Sequence, residues 1–480
     1  MRKIFAQIAF AAVALGFSAA PQASAQINLI AIGTLNGSRA GDATDLSGLN
    51  GTLENGDKAN VLGGLGSAIT YAGGNTFLAL PDRGPNAVEF DDAVDNTVTY
   101  INRFHTISMD LQPSSKGSTL PFTLTPTLRA TTLLSSITPL VYGKGDGLVG
   151  SGVPRQNNFL FHYFTGRSDN FDAKRNSGDP NDARFDTEGL RVSNDGLRVY
   201  ISDEYGPYVY EFDRLTGIRL RSFALPTSFY VPMCNSIGND EISLNTVGRT
   251  ANKGMEGLAI TPDGRTLVGI MQNALLQDAA EGGNAANLLR IVTIDLASGR
   301  VTHQFAYLLT TGSGVSEILA LNNHEMLVDE RDGHGRADGS KAKVKQIFKI
   351  DLNGAVDVSN MDGTTAALHP INKTLFLDVV KVLTSAPVNM DPKLIPAKLE
   401  GISFGPDVVS GGKKLHTFWL ANDNDFLADV DDGSGAGTTF PNPNQFFVFS
   451  FSDADLAGSQ LVTQQFRLPF LLPFGPLFRW

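Results

Sequence analysis

Apolar and polar residues alternate along this chain in short runs, the period of half-buried β-strands, and Asn-Asp-Gly, Pro-Asp-Gly and similar turns punctuate them. One such unit repeats. Glu188-Gly189-Leu190-Arg191-Val192 leads into the turn Asn194-Asp195-Gly196, and a second strand over 197–202 ends at Asp203-Glu204. The unit returns as Glu256-Gly257-Leu258-Ala259-Ile260 with the turn Pro262-Asp263-Gly264, and ends at Gln272-Asn273. A looser copy runs from Ser316-Glu317-Ile318 to Asp329-Glu330-Arg331, and another from Glu400-Gly401-Ile402 to Asp423-Asn424-Asp425. A degenerate first copy begins at Gly64-Leu65-Gly66-Ser67, with Ser67 near the glutamate position and Asp82-Arg83 at its far end.

Further strand candidates lie between the copies, at 208–213, 218–225, 288–295, 301–308, 346–351 and 445–451. Each unit therefore reads as about four antiparallel strands, the construction of a propeller blade. The expected fold is all-β, a β-propeller with five countable blades, and a sixth if part of 134–182 forms strands. Residues 166–182 are polar and turn-rich and read as a loop over one face. The stretches 332–345, 405–412 and 429–439 read as further insertions. Pairing of 27–35 with a C-terminal strand would close the ring and remove its exposed edges.

Composition agrees with this picture and narrows the setting. Among 480 residues are 50 glycines and 23 prolines, with only 18% charged, which suits short strands and turns better than long solvated helices. Residues 1–25 carry the pattern of a secretory signal: Arg2 and Lys3, an apolar stretch, then Ala23-Ser24-Ala25. Residues 26–480 then form one exported domain, periplasmic or extracellular, and no later apolar run is long enough to span a membrane. Cys234 is the only cysteine, so no intrachain disulfide forms. A net charge of −11 argues against nucleic acid and anionic lipid as partners. The apolar, proline-broken tail 466–480 is expected to cover a patch of the propeller, with binding of a partner as the alternative.

Seven motifs in order carry a family resemblance: DRGPN (82–86), DTEGL (186–190), SDEYGP (202–207), GMEGLAITPDG (254–264), VSEI (315–318), LEGISFGPD (399–407) and NDNDF (422–426). Together they resemble the phytase-like family, described by an esterase-like activity of phytase, from about residue 60 to 450. The resemblance implies a propeller and a role in hydrolysing phosphoesters or esters. The departure is Ile318, which stands where the other copies have glycine after the glutamate.

The repeated acids carry the chemistry. In a propeller blade the start of the innermost strand and the end of the second lie at one mouth of the channel. That geometry gathers Glu188, Glu256, Glu317 and Glu400 with Asp82, Asp203, Glu204, Asp329, Glu330, Asp423 and Asp425. Converging carboxylates repel unless cations, protons or arginines intervene. Oxygen donors without cysteine suit Ca²⁺, or Mg²⁺, rather than structural zinc. The same glutamates, one per strand entry, would equally serve as acceptors for backbone N–H groups of the neighbouring blade.

Basic residues stand beside them. Arg83, Arg184, Lys253, Arg331 and Lys398 would hold phosphate oxygens of a substrate, or simply balance the acids. In the hydrolytic reading Asp82, Arg83 and the four glutamates 188, 256, 317 and 400 are the catalytic candidates. His105, His162, His324 and His334 have no ligand spacing, and neither a Gly-x-Ser-x-Gly elbow nor a phosphate-binding P-loop is present. Three functions fit these residues. One is metal-assisted hydrolysis of a small phosphoester, another a carboxylic ester or lactone hydrolysis of the same kind. The third is a non-catalytic propeller that binds a ligand or partner across the mouth.

Overall fold

The computed structural model describes residues 27–143, 151–310 and 312–466. The expected signal segment therefore lies outside the described residues, as does the tail beyond Phe466.

The inner strands are buried on both faces, because each is covered by the two adjacent blades. In Thr187–Val192 and Met255–Ile260 every residue is buried. Four-stranded antiparallel sheets follow in chain order. The first holds β2 (Ala68–Tyr71), β3 (Thr76–Leu80), β4 (Arg103–Pro113) and β5 (Phe122–Leu133). The second holds β6 (Thr187–Val192), β7 (Arg198–Asp203), β8 (Tyr208–Asp213) and β9 (Arg219–Ala224). The third holds β10 (Met255–Ile260), β11 (Thr266–Met271), β12 (Leu288–Asp295) and β13 (Arg300–Leu308). The fourth holds β14 (Gly314–Ala320), β15 (Glu325–Arg331), β16 (Lys345–Asp351) and β17 (Lys373–Asp378).

The fifth sheet joins the two ends of the chain. Its strands β18 (Leu399–Phe404), β19 (Lys413–Asn422) and β20 (Gln445–Phe451) are completed by β1 (Asn28–Thr34), which pairs antiparallel with β20. The innermost strands β2, β6, β10, β14 and β18 contact one another in that order and return to β2, so five blades close a ring. Five clusters of the core lie one between each pair of adjacent blades. Between the last and first blades, Phe77 meets Trp419 with ring centroids 4.6 Å apart. Each fully buried Leu, Ile or Phe side chain in these layers contributes about 1.5–3 kcal/mol.

A sixth blade does not form. Among the described residues of 134–182, the only strands are a two-residue pair, Ser135–Ser136 with His162–Tyr163. The stretch 166–182 is irregular, yet its start is packed inside: Arg167 and Asp169 are both buried and joined at 2.6 Å. Its polar residues satisfy one another, which hydropathy cannot show. Two expected insertions carry small hairpins, Val408–Ser410 against Lys413–Leu415 and Asp429–Asp431 against Thr439–Pro441.

One channel end is closed. Arg191 from β6 reaches across the axis, donating to the carbonyls of Ile69 in the first blade (3.1 Å) and Ile318 in the fourth (2.8 Å). Below it, residues up to Phe466 lie over the far mouth, with the Gln464 amide bonded to Val192 O and Asn194 Oδ1 (both 2.7 Å).

Candidate functional site

The repeated Glu-Gly pair has a structural cause in the ladder between the first two strands of each blade. The pairing slips by one residue at Met255/Gly257 and Leu399/Gly401, leaving Glu256 and Glu400 as bulged residues, and again between Thr187 and Leu190, around Glu188. A bulge re-aims one side chain out of the alternating pleat, here into the channel mouth. The glycine that follows lies against the next blade. A Cβ on Gly257 would sit 2.7 Å from the Ile318 nitrogen, and one on Gly189 2.6 Å from that of Leu258. Glutamate supplies the acid, and glycine lets the inner strands close up.

In the fourth blade the slip falls between Val315 and Glu317, so Ser316 takes the bulged position and Glu317 the glycine's. The Glu317 carboxylate consequently turns into the wall. It accepts N–H bonds from Leu258 of the third blade (2.8 Å) and from Ile318 (3.0 Å), and pairs with Arg191 at 3.0 Å. The four bulges thus fall at Glu188, Glu256, Ser316 and Glu400, while in the first blade Ser67 stands just before β2, whose ladder has no slip.

A cavity of about 330 Å³ opens at this mouth. Of the sequence candidates, Asp82, Arg83, Glu188, Glu204, Lys253, Glu256, Arg331, Lys398, Glu400, Asp423 and Asp425 line it. Ser67, Asn86, Asp186, Asn252 and Gln272 line it as well. Asp186 is the main acid that pattern reading passed over, although it opens the DTEGL motif two residues before Glu188. Gln272 faces the cavity in place of its neighbour Asn273.

Five other candidates lie behind the wall. The Asp203 carboxylate takes the backbone N–H groups of Asp186 (3.1 Å) and Tyr205 (2.9 Å), bracing the loop that carries Glu204. Asp329 is buried in β15, opposite Glu317 in the ladder. Glu330 points outward to Lys373, Tyr307 and Ser313. Arg184 pairs with Glu241 of a short helix (Gly238–Leu244) at 3.4 Å and lies 4.4 Å over the Phe171 ring. Glu317 is the fifth.

Three of the four bases that reach the cavity are held by its acids. Arg83 pairs with Asp186 at 3.0 Å, and the Asn86 amide accepts from its Nε and Nη2 at 3.1 and 3.0 Å. Arg331 joins two blades, donating to Ser316 Oγ (2.7 Å) and pairing with Glu400. The Lys398 ammonium bridges Asp423 (3.2 Å) and Asp425, whose neighbour Asp82 completes a trio of close carboxylates. Lys253 is exposed on the rim.

Charge in the mouth is out of balance: eight acids (Asp82, Asp186, Glu188, Glu204, Glu256, Glu400, Asp423, Asp425) face four bases. Burial drives Glu188 well above the carboxylate range, and Glu256, Asp186 and Glu204 push it further. Burial likewise raises Glu256, with Glu204 and Glu400 adding, and carries Glu204 and Asp82 up to about 7. Around Lys398 the balance reverses. Burial works against its charge, but Asp425 and Asp423 outweigh that and hold its pKa well above the usual lysine value. Asp425 in turn is lowered, Lys398 overcoming the effect of burial. Asp186, Glu188 and Glu204 offer oxygens within 4.8 Å of one another, and an all-oxygen set of this kind fits a hard divalent ion.

Among the described residues no helix is long and apolar enough to cross a membrane. Comparisons with known proteins agree with the motifs. A stretch of 287 residues is 27% identical to an uncharacterized secreted protein of Arthroderma benhamiae, covering 52% of this chain and 53% of that protein. The match thus spans about half the length of that relative. Among solved structures, a luciferin-regenerating enzyme (10% identity, 84% of this chain and 95% of that one, TM-score 0.31) is a distant likeness. A putative 6-phosphogluconolactonase from Bacteroides uniformis (12% identity, 79% and 88%, TM-score 0.30) is another. The family model for phytase-like proteins, "esterase-like activity of phytase", matches residues 60–426, most of the chain, and the chain belongs to that family.

Proposed function

We propose that this protein is an exported hydrolase of small phosphoesters, or of related esters, that works with a divalent cation at the open mouth of the propeller. The observation that carries this reading is the surplus of buried acid beside fixed bases. Eight carboxyls against four bases leave a site that needs positive charge, and Glu204 Oε1 and Glu256 Oε2 are buried there without a hydrogen-bond partner. Asp186, Glu188 and Glu204 would hold a Ca²⁺ or Mg²⁺ ion, which would supply that charge and acidify water.

The chain's own groups then have distinct work. Lys253 on the rim draws an anionic ester toward the mouth. Arg83 and Arg331, each anchored by a carboxylate, present guanidinium N–H groups that bind phosphoryl oxygens. Burial and neighbouring acids raise the pKa values of Glu188 and Glu256, so these carboxyls would give up their protons when a cation binds beside them. The family description supports an esterase-like reaction, and the 1–25 segment and the secreted relative support export.

The test is a panel of phosphomonoesters, phosphodiesters, phytate, carboxylic esters and lactones, assayed in chelator and with added Ca²⁺ or Mg²⁺. Turnover of a phosphoester that needs the cation is the expected result. Turnover of lactones or carboxylic esters alone would move the substrate class. No turnover of any class would favour a binding propeller.

A further inference from the structure

The mouth contains two groups of close carboxylates, and they differ in what already stands among them. Asp82, Asp423 and Asp425 surround the Lys398 ammonium, 3.2 Å from Asp423 and in contact with Asp425. Asp425 and Gly84 further engage this group, their backbone N–H groups donating to Asp423 Oδ1 (2.8 Å) and Asp82 Oδ1 (2.9 Å). A lysine occupies the place a cation would take.

The other group is Asp186, Glu188 and Glu204, all from the second blade and the loop beyond β7. Glu256 joins it from the third blade, its carboxyl meeting that of Glu204. Among the described residues the one base that pairs with this group is Arg83, through Asp186 Oδ2; Arg249 lies near enough to lower Glu204 and Asp186 but is paired with Glu241. No lysine or arginine pairs with Glu188, Glu204 or Glu256 among the described residues. Glu204 and Glu256 are 2% and 4% exposed, and beyond the contact between their carboxyls Glu204 Oε1 and Glu256 Oε2 receive no donor from the described residues. Buried carboxylate oxygens are costly to leave unpaired, and two of them facing one cavity call for a bound positive ion.

Resting on the reading of the mouth as a cation site, we infer that the divalent ion binds on one side only, at Asp186, Glu188, Glu204 and Glu256, while Lys398 fills the opposite trio permanently. The site is then asymmetric: the ion lies at the seam of the second and third blades, and the internal ammonium at the seam of the fifth and first. An anionic ester group between them meets positive charge from both sides.

Calorimetric titration of the mature protein with calcium chloride tests this. Calcium affinity should fall about ten-fold or more in Glu188→Gln and in Glu204→Gln, because ligand charge sets affinity at such sites. Asp425→Asn should leave it within about three-fold. Loss in Asp425→Asn with Glu188→Gln unchanged would overturn the placement while leaving a cation in the mouth. A parent protein that binds neither calcium nor magnesium would instead end the cation reading itself. Should the glutamine variants fail to fold, anomalous scattering from parent crystals grown with manganese decides. A peak beside Glu188 and Glu204 upholds the placement, and a peak beside Asp423 or no peak in the mouth overturns it.

Discussion

His105 shows how one side chain ties stability to pH away from the mouth. It is fully buried in β4, with Nδ1 2.9 Å from Thr131 Oγ1 and Nε2 unpartnered. Burial drives its pKa down to about 4, with Arg103 acting in the same direction and Asp45 opposing. In the unfolded chain the ring titrates near about 6.5. The native state therefore holds a neutral ring, and its contribution is complete above about pH 6.5 and lost as pH falls toward 4. The slope is about 1.4 kcal/mol per pH unit. Urea unfolding between about pH 7 and about pH 5 should show a shallower loss for His105→Gln than for the parent; equal slopes would contradict this. Glu317 makes a second prediction at this scale. Glu317→Gln leaves Arg191 an unpaired charge in the centre of the ring, at a cost of about 3–5 kcal/mol, with calcium affinity unchanged. Denaturant unfolding and calcium titration of the same variant separate the two effects. The sequence shows that acids recur at the strand entries, but not which of them face the cavity. Glu317 and Ser316 differ by one ladder position, and a bulge that shifts register leaves no trace in composition.

At the scale of the strand, the legible signal was the Glu-Gly pair followed by alternating residues and a turn. It gave the positions of β6, β7, β10, β11, β18 and β19, because side-chain alternation and tight turns are local properties. The outer strand β17 was not legible: Lys373, Thr374 and Leu375 are partly or fully exposed, so no apolar alternation marks it. Nor was the packed interior of 166–182, where Arg167 and Asp169 neutralise one another. The glycine of the pair makes its own prediction. In Gly257→Ala the new methyl group meets the Ile318 nitrogen and the Glu317 carbonyl carbon inside 3 Å, both backbone atoms that cannot turn away. Such overpacking costs about 1–3 kcal/mol. Gly333→Ala, which meets nothing within 4 Å, should melt like the parent. Equal melting of the two variants would mean that the inner strands are not held in this close contact.

At the scale of the molecule, the ring is closed by β1, contributed by the opposite end of the chain from the rest of its blade. Without β1, the apolar strand β20 (Gln445–Phe451) becomes an open edge, and open edges recruit other chains. A variant beginning at residue 35 should aggregate or lose its cooperative melting, as scattering during a thermal ramp would show; a monomer that melts like the parent would contradict the closure. Arg191 spans the axis, and the cavity lined by the acids lies at one end of the channel. The central claim is that a divalent cation completes this mouth and makes it hydrolytic. Its most direct test measures phosphate release and melting temperature in the same samples as calcium is restored to chelated protein. Both should rise together with one midpoint, since ligand binding stabilises the native state in proportion to occupancy. Melting indifferent to calcium, magnesium and chelator, with no phosphate released at any concentration, would contradict it.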